Sequence, residues 1–266
     1  MVRALVQAGG DDEPTIPPRF RERHRLARHR EFLDAARRIV NTDGQAALTM
    51  QRVTDDVGSS VGGIYIYFPS KNALIAELQR EALEVLTTSY LLGQARLDLL
   101  LAERDVDPAT AALARGIATA RFWIASEETF PSEIELSRRL LAGAQAVIAT
   151  DEASRVLPAV LRLLEEGRQR LDAAAELGAI DPANNIERAV VVIAAITGVL
   201  LTSKLGRWDD HLFDGRHLAT ELIGNLFAGW GATRDRLAAV DELLAAFSQD
   251  QHRAPPVDAA QAAPTT

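Results

Sequence analysis

The 266-residue chain has no cysteine, only two lysines and no long apolar run, and each absence excludes something. Without cysteine it forms neither a disulfide framework nor a thiolate metal site, which is typical of proteins of the reducing cytoplasm. The longest apolar run, Ala189–Leu201, is shorter than the roughly 20 residues that a bilayer-spanning helix needs. The first residues hold no sustained apolar core, so we expect no secretion signal. These features predict a cytoplasmic protein with no membrane partner.

The charge is distributed unevenly along the chain. The net charge of −8 argues by itself against a nucleic-acid-binding protein. Residues 19–80, however, carry +4, which leaves −12 for the remainder. A basic first quarter followed by an acidic body indicates two parts with different functions. The arginines between residues 19 and 30 fit either a solvated helix start or an arm that follows the DNA backbone or minor groove.

Apolar residues recur at helical spacing almost throughout, which predicts an all-α protein of nine or ten helices. The first helix is predicted from Arg25 to Thr42, and the next segments are short helices at 50–57 and 61–68 and a long helix from Lys71 to about Glu103. Asp107-Pro108 and Asp181-Pro182 each place a capping acid before a proline, so each is predicted to open a helix. The predicted parts are a flexible N-terminal arm at 1–24, a DNA-binding domain at 25–72, a helical ligand-binding and dimerisation domain at 73–248, and a disordered tail at 249–266.

Residues 50–68 carry the clearest functional pattern. Two short helices joined at Gly58 after a longer helix make a helix-turn-helix, whose second helix lies in the major groove of DNA. The segment 64–68 has the composition of a strand, but its neighbours favour a helix. The residues suited to DNA contact are Ser60, Gly62, Gly63, Tyr65, Tyr67 and Lys71. The glycines admit close backbone approach, the hydroxyls can bond to phosphates, and a cation at a helix start favours an anionic partner.

The segment Phe32–Leu74 resembles the DNA-binding domain of the tetracycline-repressor (TetR) family. The matching positions are Ala35-Ala36, Ile39, Gly44, Leu48-Thr49, Val53, Gly58, Ser60, Tyr65, Tyr67-Phe68, Ser70-Lys71 and Leu74. The resemblance implies a homodimer that binds a palindromic operator and a C-terminal helical domain that binds a small effector and then releases DNA. The chain departs from the family at Thr54, Val57, Ser59 and Ile66, where alanine, alanine, valine and histidine are common.

Roles for individual residues follow from the resemblance alone. It implies that Thr49 and Lys71 hold phosphates. Gln51, Val61, Gly62 and Gly63 would face base edges, and Tyr65 and Tyr67 would contact the DNA backbone. Packing of the Tyr65 ring in the core is the alternative for that residue. The departures in the turn bear on which bases are recognised, while the predicted fold is unaffected.

A competing motif occupies the same segment. Residues 58–62 spell G-x-S-x-G, the nucleophile elbow of α/β-hydrolases, and Asp209, Asp210 and His217 follow in triad order. That motif requires a preceding buried strand, whereas the residues before Gly58 are polar and acidic. An esterase using Ser60 is therefore the weakest alternative, and we expect no catalytic residue and no enzyme activity. The cluster of Asp210, His211, Asp214 and His217 lacks a second element to complete a coordination sphere, so no metal or cofactor is expected.

The second part of the chain offers pocket and interface candidates. The residues that mix aromatic bulk with isolated polar groups are Thr119, Phe122, Trp123, Phe130, Arg170 and Thr197, and we predict them as ligand contacts. Each could equally belong to an ordinary helical core. The small or apolar residues predicted to form a dimer interface are Ala194, Gly198, Gly224, Ala228 and Gly231, because small residues let helices approach closely.

The pattern as a whole predicts a ligand-responsive transcription factor, most simply a repressor. Its partners would be double-stranded operator DNA, a second copy of the chain and a small-molecule effector of unspecified identity. The long helix after Lys71 would couple the two parts. Besides the esterase, the alternatives are a helix-turn-helix regulator without an effector and a helical scaffold that binds only protein.

Overall fold

A computed structural model of the chain describes residues 18–143 and 150–253, and the regular structure in these ranges is entirely helical. The ten α-helices are α1 (Pro18–Asp43), α2 (Met50–Val57), α3 (Val61–Tyr65), α4 (Lys71–Glu103), α5 (Pro108–Thr129), α6 (Pro131–Gly143), α7 (Thr150–Glu176), α8 (Asn185–Thr202), α9 (Gly215–Gly229) and α10 (Arg234–Arg253). Short 3₁₀ turns follow α1 at Gln45–Ala47 and α8 at Ser203–Leu205. The prediction of an all-α fold is confirmed.

The chain forms two compact units that divide between Leu78 and Gln79. The first unit contains α1 to α3 and the beginning of α4, and the second contains the rest of α4 and α5 to α10. The division lies within α4, a little beyond the boundary at residue 72 that the sequence predicts. A single continuous helix therefore belongs to both units.

The core of the first unit follows from the spacing of apolar residues on α1. Phe32, Ala35, Ala36 and Ile39 recur every three or four positions, and all four are buried. The short helices and the segments that flank them add Leu48, Met50, Val53, Ile64, Phe68 and Leu74 to the same core. Three helices too short or too polar to be stable alone are thus held together by one shared apolar face.

Both predicted ends of the folded region extend further in the structure. Helix α1 starts at Pro18, so residues 18–24 are helical rather than a flexible arm. No helix breaker follows Pro18, and Glu22 accepts hydrogen bonds of 3.1 and 3.0 Å from Arg25 one turn later. Helix α10 continues to Arg253, beyond the predicted end at residue 248. The rest of the predicted arm and tail lies outside the described residues.

The two Asp-Pro pairs behave differently. Asp107 caps α5 as predicted, because its carboxylate accepts a hydrogen bond of 3.1 Å from the Thr110 amide. Asp181 does not open a helix, since α8 begins only at Asn185. The Asp181 amide instead donates to the Trp230 carbonyl at 2.6 Å, which ties this segment to the end of α9. Residues 181–184 therefore precede the helix, and a long-range hydrogen bond holds their first residue in place.

Helix α5 is the centre of the second unit and packs against α7, α8, α9 and α10. Gly116 on α5 faces the Phe227 ring of α9, and a Cβ at Gly116 would lie 3.4 Å from that ring. The ring is itself buried. Absence of a side chain at this one position therefore brings two central helices close together.

Helix α8 buries one face and exposes a second apolar face. Ala189, Val192 and Ile196 belong to the core of the second unit. Val190 and Val191 on the opposite side are 47% and 48% exposed. By length and composition alone the segment Asn185–Leu205, with mean hydropathy 1.8, could cross a membrane. The sequence-based expectation considered only its uninterrupted apolar run and did not identify this.

Candidate nucleic-acid interface and effector cavity

Three local devices fix the geometry of the helix-turn-helix. The Thr49 hydroxyl accepts a hydrogen bond of 3.1 Å from the Arg52 amide and caps α2. Gly58 ends α2 in the left-handed conformation, at φ 67° and ψ 42°, which only glycine adopts without strain. The Ser60 hydroxyl then accepts a bond of 3.2 Å from the Gly63 amide and caps α3.

Helix α3 has a buried face and an outward face. Ile64 and Phe68 are buried in the core of the first unit. Gly62 is exposed, and a Cβ built there would meet no atom within 4 Å. Tyr65 is 48% exposed, and Ile66 is 79% exposed just after the helix ends. The outward face is therefore free of other described parts of the first unit.

The structure ends α3 at Tyr65, three residues before the predicted end. The Tyr67 and Phe68 amides both donate to the Ile64 carbonyl, at 3.0 and 2.9 Å, so the chain closes in a turn. Pro69 follows, and a residue that precedes proline avoids the helical conformation. Residues 64–68 have the composition of a strand but form the end of α3 and the turn that follows it.

Tyr67 and Gly63 contribute to packing as well as to the predicted interface. The Tyr67 ring lies 5.5 Å from the Phe32 ring and 6.4 Å from the His29 ring, and the residue is half-buried. A Cβ at Gly63 would approach the Ser59 hydroxyl oxygen at 3.1 Å. A side chain at Gly63 would therefore be crowded by Ser59 within the turn, whether or not DNA is bound.

Several groups beside α3 have hydrogen-bonding capacity to spare. The Thr49 and Ser60 oxygens accept backbone hydrogen bonds, which leaves each hydroxyl proton available for another acceptor. Lys71 is the first residue of α4 and forms no ion pair with any described residue. The Tyr65 and Tyr67 hydroxyls likewise have no hydrogen-bond partner in the described part of the chain. These groups lie on both sides of α3 in the sequence.

The acidic end of α2 is neutralised by neighbours. The Asp56 carboxylate accepts a hydrogen bond of 2.5 Å from Arg38 on α1. Asp55 accepts one of 2.6 Å from the side-chain amide of Gln51, which leaves the Gln51 oxygen as an acceptor. Arg52 pairs with Asp43. Gln51, which is predicted to face base edges, thus offers an acceptor oxygen. The carboxylates of Asp43, Asp55 and Asp56 are each engaged by a neighbouring side chain.

The exposed start of α1 is a solvated helix surface in which several charges are already paired. Hydrogen bonding by the Arg25 guanidinium lowers the pKa of Glu22 below its usual value and raises that of Arg25. Arg28 donates to Glu31 at 2.6 Å. These pairs favour a solvated helix start over a DNA-following arm as the role of this arginine-rich segment.

The second unit contains an apolar cavity of about 180 Å³, lined by residues of α4 to α8. Trp123 and Thr197 line it, as the sequence predicts for ligand contacts. Thr119 and Trp123 also line a neighbouring cavity of about 20 Å³. Thr119 is bonded within the protein, since its hydroxyl donates to the Arg115 carbonyl at 2.9 Å and lies 3.1 Å from the Tyr90 hydroxyl.

The other predicted ligand residues line neither cavity. Phe122 packs edge-on against Tyr90 and Trp123, with ring centroids 5.6 and 5.9 Å apart. Phe130 caps the end of α5. Arg170 lies 3.8 Å from Glu166, one turn away on α7. The structure therefore divides the predicted set into two cavity residues, one residue of the small cavity and three residues elsewhere.

Sequence reasoning missed the charged group of the cavity. Arg138 donates to both carboxylate oxygens of Glu127, at 2.6 and 2.7 Å, and both residues line the cavity. They lie on different helices, eleven positions apart in sequence. Charged residues at helical spacing are common on solvated faces, so no sequence pattern identifies this pair as part of a cavity.

Four of the five predicted interface residues lie on the surface helices α8 and α9. Ala194, Gly198 and Ala228 are exposed, and Gly224 is half-buried with open space where a Cβ would lie. Gly231 is a correction, because it lies beyond the end of α9. It has a positive φ of 95°, and a Cβ there would meet the Asp181 carboxylate at 2.7 Å. Its side of the chain is occupied by that carboxylate, so it does not continue the stripe of small residues.

The structure lacks the strand that the esterase alternative requires before the serine. The G-x-S-x-G motif follows helix α2 rather than a strand, and its serine caps α3. In the described ranges no group of three or more histidine and acidic side chains could hold a metal ion. The Asp214 carboxylate caps α9 by accepting a hydrogen bond of 3.0 Å from the His217 backbone amide, which explains the aspartate of that cluster.

Comparisons with known proteins agree with this geometry. The family described as bacterial regulatory proteins, tetR family, matches residues 32–78. Over 94 residues the chain is 36% identical to the HTH-type transcriptional repressor Rv1474c of Mycobacterium tuberculosis (strain ATCC 25618 / H37Rv). The match covers 34% of this chain and 50% of that repressor, so the chain spans half the length of this curated relative.

Solved structures extend the similarity of fold to most of the chain. A TetR transcription regulator from Haloarcula marismortui ATCC 43049 aligns with a TM-score of 0.56 at 16% identity, over 77% of this chain and 98% of that one. A Saccharomonospora viridis protein in complex with choline aligns with a TM-score of 0.54 at 16% identity, over 75% and 96%. Residues 32–78 therefore match the DNA-binding segment of the tetR family of bacterial regulatory proteins, and the similarity of fold extends over about three quarters of the chain.

Proposed function

We propose that this chain is a transcriptional repressor that binds a palindromic operator as a homodimer and releases it when a small molecule binds the second unit. The outward face of α3 is the observation that carries the proposal. Gly62 and Tyr65 are exposed there while Ile64 fixes the helix to the core. A helix held in this way can enter the major groove without unfolding its own unit.

The groups around α3 support contact with phosphates and bases. Thr49, Ser60 and Lys71 would bind phosphates, because two have a hydroxyl proton to donate and the third has no ion pair with a described residue. Gln51, Val61, Gly62 and Gly63 would face base edges. Tyr65 would donate to the backbone, and Tyr67 would do so from a ring that rests on Phe32.

The exposed apolar face of α8 supports the dimer. Val191 leaves about half of its surface in water in the single chain, and Gly198 extends that face. Val190 and Ala194 are exposed beside it and also line the apolar cavity. Gly224 and Ala228 offer a close-approach surface on α9. Pairing of these helices across a twofold axis would remove apolar area from water, which favours association by about 25 cal/mol per Å². This role also accounts for an apolar helix in a cytoplasmic protein.

The cavity of the second unit supports an effector. Its lining is mostly apolar with a few polar groups, as in small-molecule sites generally. A protein of the same fold has been crystallised with choline. Helix α4 belongs to both units, so a change at Leu83 in the cavity wall has a continuous helical route to Lys71. A ligand that favours one geometry of the dimer would then change operator affinity.

Binding of the full chain to its own upstream DNA tests this proposal. Fluorescence anisotropy should show tight binding to a palindrome in that DNA and at least about tenfold weaker binding to a scrambled duplex. Equal affinity for both duplexes, or none for either, would reject a sequence-specific regulator and leave the protein-binding scaffold. Binding that no small molecule reverses would favour a regulator without an effector.

A further inference from the structure

The apolar cavity adjoins a polar cleft of about 350 Å³ in the same unit. The two spaces share Glu127, Arg138 and Leu200 in their walls. Beyond these residues the cleft is lined by Glu128, Ser203, Lys204 and Arg216 together with Ile124. One ligand could therefore occupy both spaces, with an apolar part on one side of Arg138 and a polar part on the other.

The lining of the cavity favours a ligand whose body is apolar. Of its polar groups, the Ser137 hydroxyl donates to the Glu133 carbonyl at 2.8 Å and the Thr197 hydroxyl donates to the Ile193 carbonyl at 2.7 Å. The Glu127 carboxylate is bonded through both oxygens to Arg138. A polar ligand body would lose its hydration without gaining a comparable set of new hydrogen bonds. Hydrocarbon or aromatic surface suits this space.

Arg138, which lines both the cavity and the cleft, has one donor nitrogen without an acceptor. One terminal nitrogen binds Glu127, and the other donates to Glu135 at 3.2 Å. The remaining Nε–H is buried and has no hydrogen-bond partner among the described residues. Buried donors of charged groups are rarely left unpaired, so an acceptor oxygen is expected at this position.

An unpaired cation in the cleft favours an anion as the source of that oxygen. Three cations and two carboxylates line the cleft, and Glu135, which is not part of the lining, also pairs with Arg138. Arg216 pairs with Glu128 at 2.6 Å, and Arg138 pairs with Glu127. Lys204 forms no ion pair with any described residue, so it is the lining cation that remains available to a ligand. A carboxylate in the cleft would approach both Lys204 and the free donor of Arg138.

We infer that the effector is an amphipathic anion, with a hydrocarbon body in the apolar cavity and a carboxylate in the cleft at Arg138 and Lys204. This inference rests on the proposed function for its regulatory meaning, but the binding site itself does not depend on DNA. A cation would meet the unpaired Lys204, and an uncharged alcohol would gain the hydrogen bond without the charge attraction. The three kinds of head group are therefore separable by experiment.

Three probes with the same ten-carbon chain provide the test: decanoate, decanol and decyltrimethylammonium. Titration calorimetry with the full chain, below the concentration at which any probe forms micelles, should give decanoate about tenfold tighter binding than decanol, since a charge-assisted hydrogen bond replaces a neutral one. Decyltrimethylammonium should bind most weakly. An order in which decanol or the ammonium probe equals or exceeds decanoate would overturn the anionic assignment.

Three variants locate the site. Lys204→Gln should weaken decanoate binding about threefold to fivefold and leave decanol unchanged, because only the charged head loses a partner. Arg138 is less suitable for a first substitution, since Glu127 would lose its partner and the unit could fail to fold. Val160→Phe should fill the cavity and weaken decanoate and decanol alike, whereas Leu161→Phe, next to it but exposed and outside the lining, should affect neither. Decanoate binding that survives Val160→Phe unchanged would place the ligand elsewhere.

Operator binding is measured separately on the same samples. Decanoate that binds with the expected dependence on Lys204 but never releases DNA would support the site and contradict its proposed regulatory role. Failure of all three probes to bind a chain that still recognises its operator would overturn this inference and leave the DNA-binding function intact.

Discussion

Replacement of Lys71 by alanine tests the phosphate contact at the start of α4. Lys71 lies at the first position of that helix and is partly exposed, and it forms no ion pair with a described residue. A cation at a helix start is unfavourable for the helix dipole, so removal of this charge should not destabilise the fold. The lost interaction should therefore be with DNA.

The magnitude follows from counterion release. Each phosphate contact contributes about 0.9 to the slope of log affinity against log salt, so a dimer that loses two contacts loses about 1.8. The ratio of the DNA affinity of the native protein to that of Lys71→Ala should then fall between about 50 and 200 mM salt. The fall is about 3.5-fold per contact and about 12-fold for the dimer. The loss should be the same for operator and scrambled DNA, because phosphates carry no sequence information.

Fluorescence anisotropy at four or more salt concentrations measures both quantities. Lys204→Ala is the matched control, since it removes the only other lysine of the chain from the second unit and should leave the slope unchanged. An unchanged slope for Lys71→Ala would show that Lys71 does not contact phosphate. A changed preference between operator variants would show that it reads bases instead.

Three further predictions concern the turn, the dimer and a helix cap. Gly58→Ala should destabilise the first unit by about 1–2 kcal/mol in urea unfolding, because its φ is 67°, whereas Gly62→Ala should keep stability and weaken only DNA binding. Val191→Arg should convert the dimer to a monomer in light scattering, and Leu99→Arg, at a more exposed position on α4, should not; a dimeric Val191→Arg would refute the α8 interface. Hydrogen bonds from Thr110 hold the pKa of Asp107 below its usual value, so the cap stabilises α5 above about pH 4, and this stabilisation is lost as pH falls through the lower folded-state pKa. Asp107→Ala should accordingly cost about 1 kcal/mol at pH 7 and progressively less in acid, and a pH-independent difference would contradict this.

The sequence predicted the DNA-binding domain in most of its details because the determinants there are local. The spacing of Phe32, Ala35 and Ile39 sets the buried face of α1, and Thr49, Gly58 and Ser60 set the ends of the short helices. Each of these residues acts on atoms within a few positions of itself. Caps, left-handed glycines and helical periodicity are therefore readable without the tertiary structure.

The ends of helices were harder to predict from the sequence where the contacts that determine them come from residues far away in the chain. Asp181 has the form of a helix cap, yet its amide bonds to Trp230 and α8 begins later. Gly231 has the small size of an interface residue, yet its conformation and its neighbour Asp181 explain the glycine. Both outcomes depend on the packing of α9 near the start of α8, which no local pattern encodes.

The amino-acid sequence by itself determined the helical class and the helix-turn-helix, because periodicity and short capping motifs act over one or two turns of chain. Tertiary structure alone decided which polar residues share the apolar cavity. Glu127 and Arg138 come from different helices, and Lys204 joins Arg138 in the cleft from a third part of the chain. Proximity of that kind arises from how amphipathic helices pack, and many arrangements of the same helices would satisfy the same hydrophobic pattern.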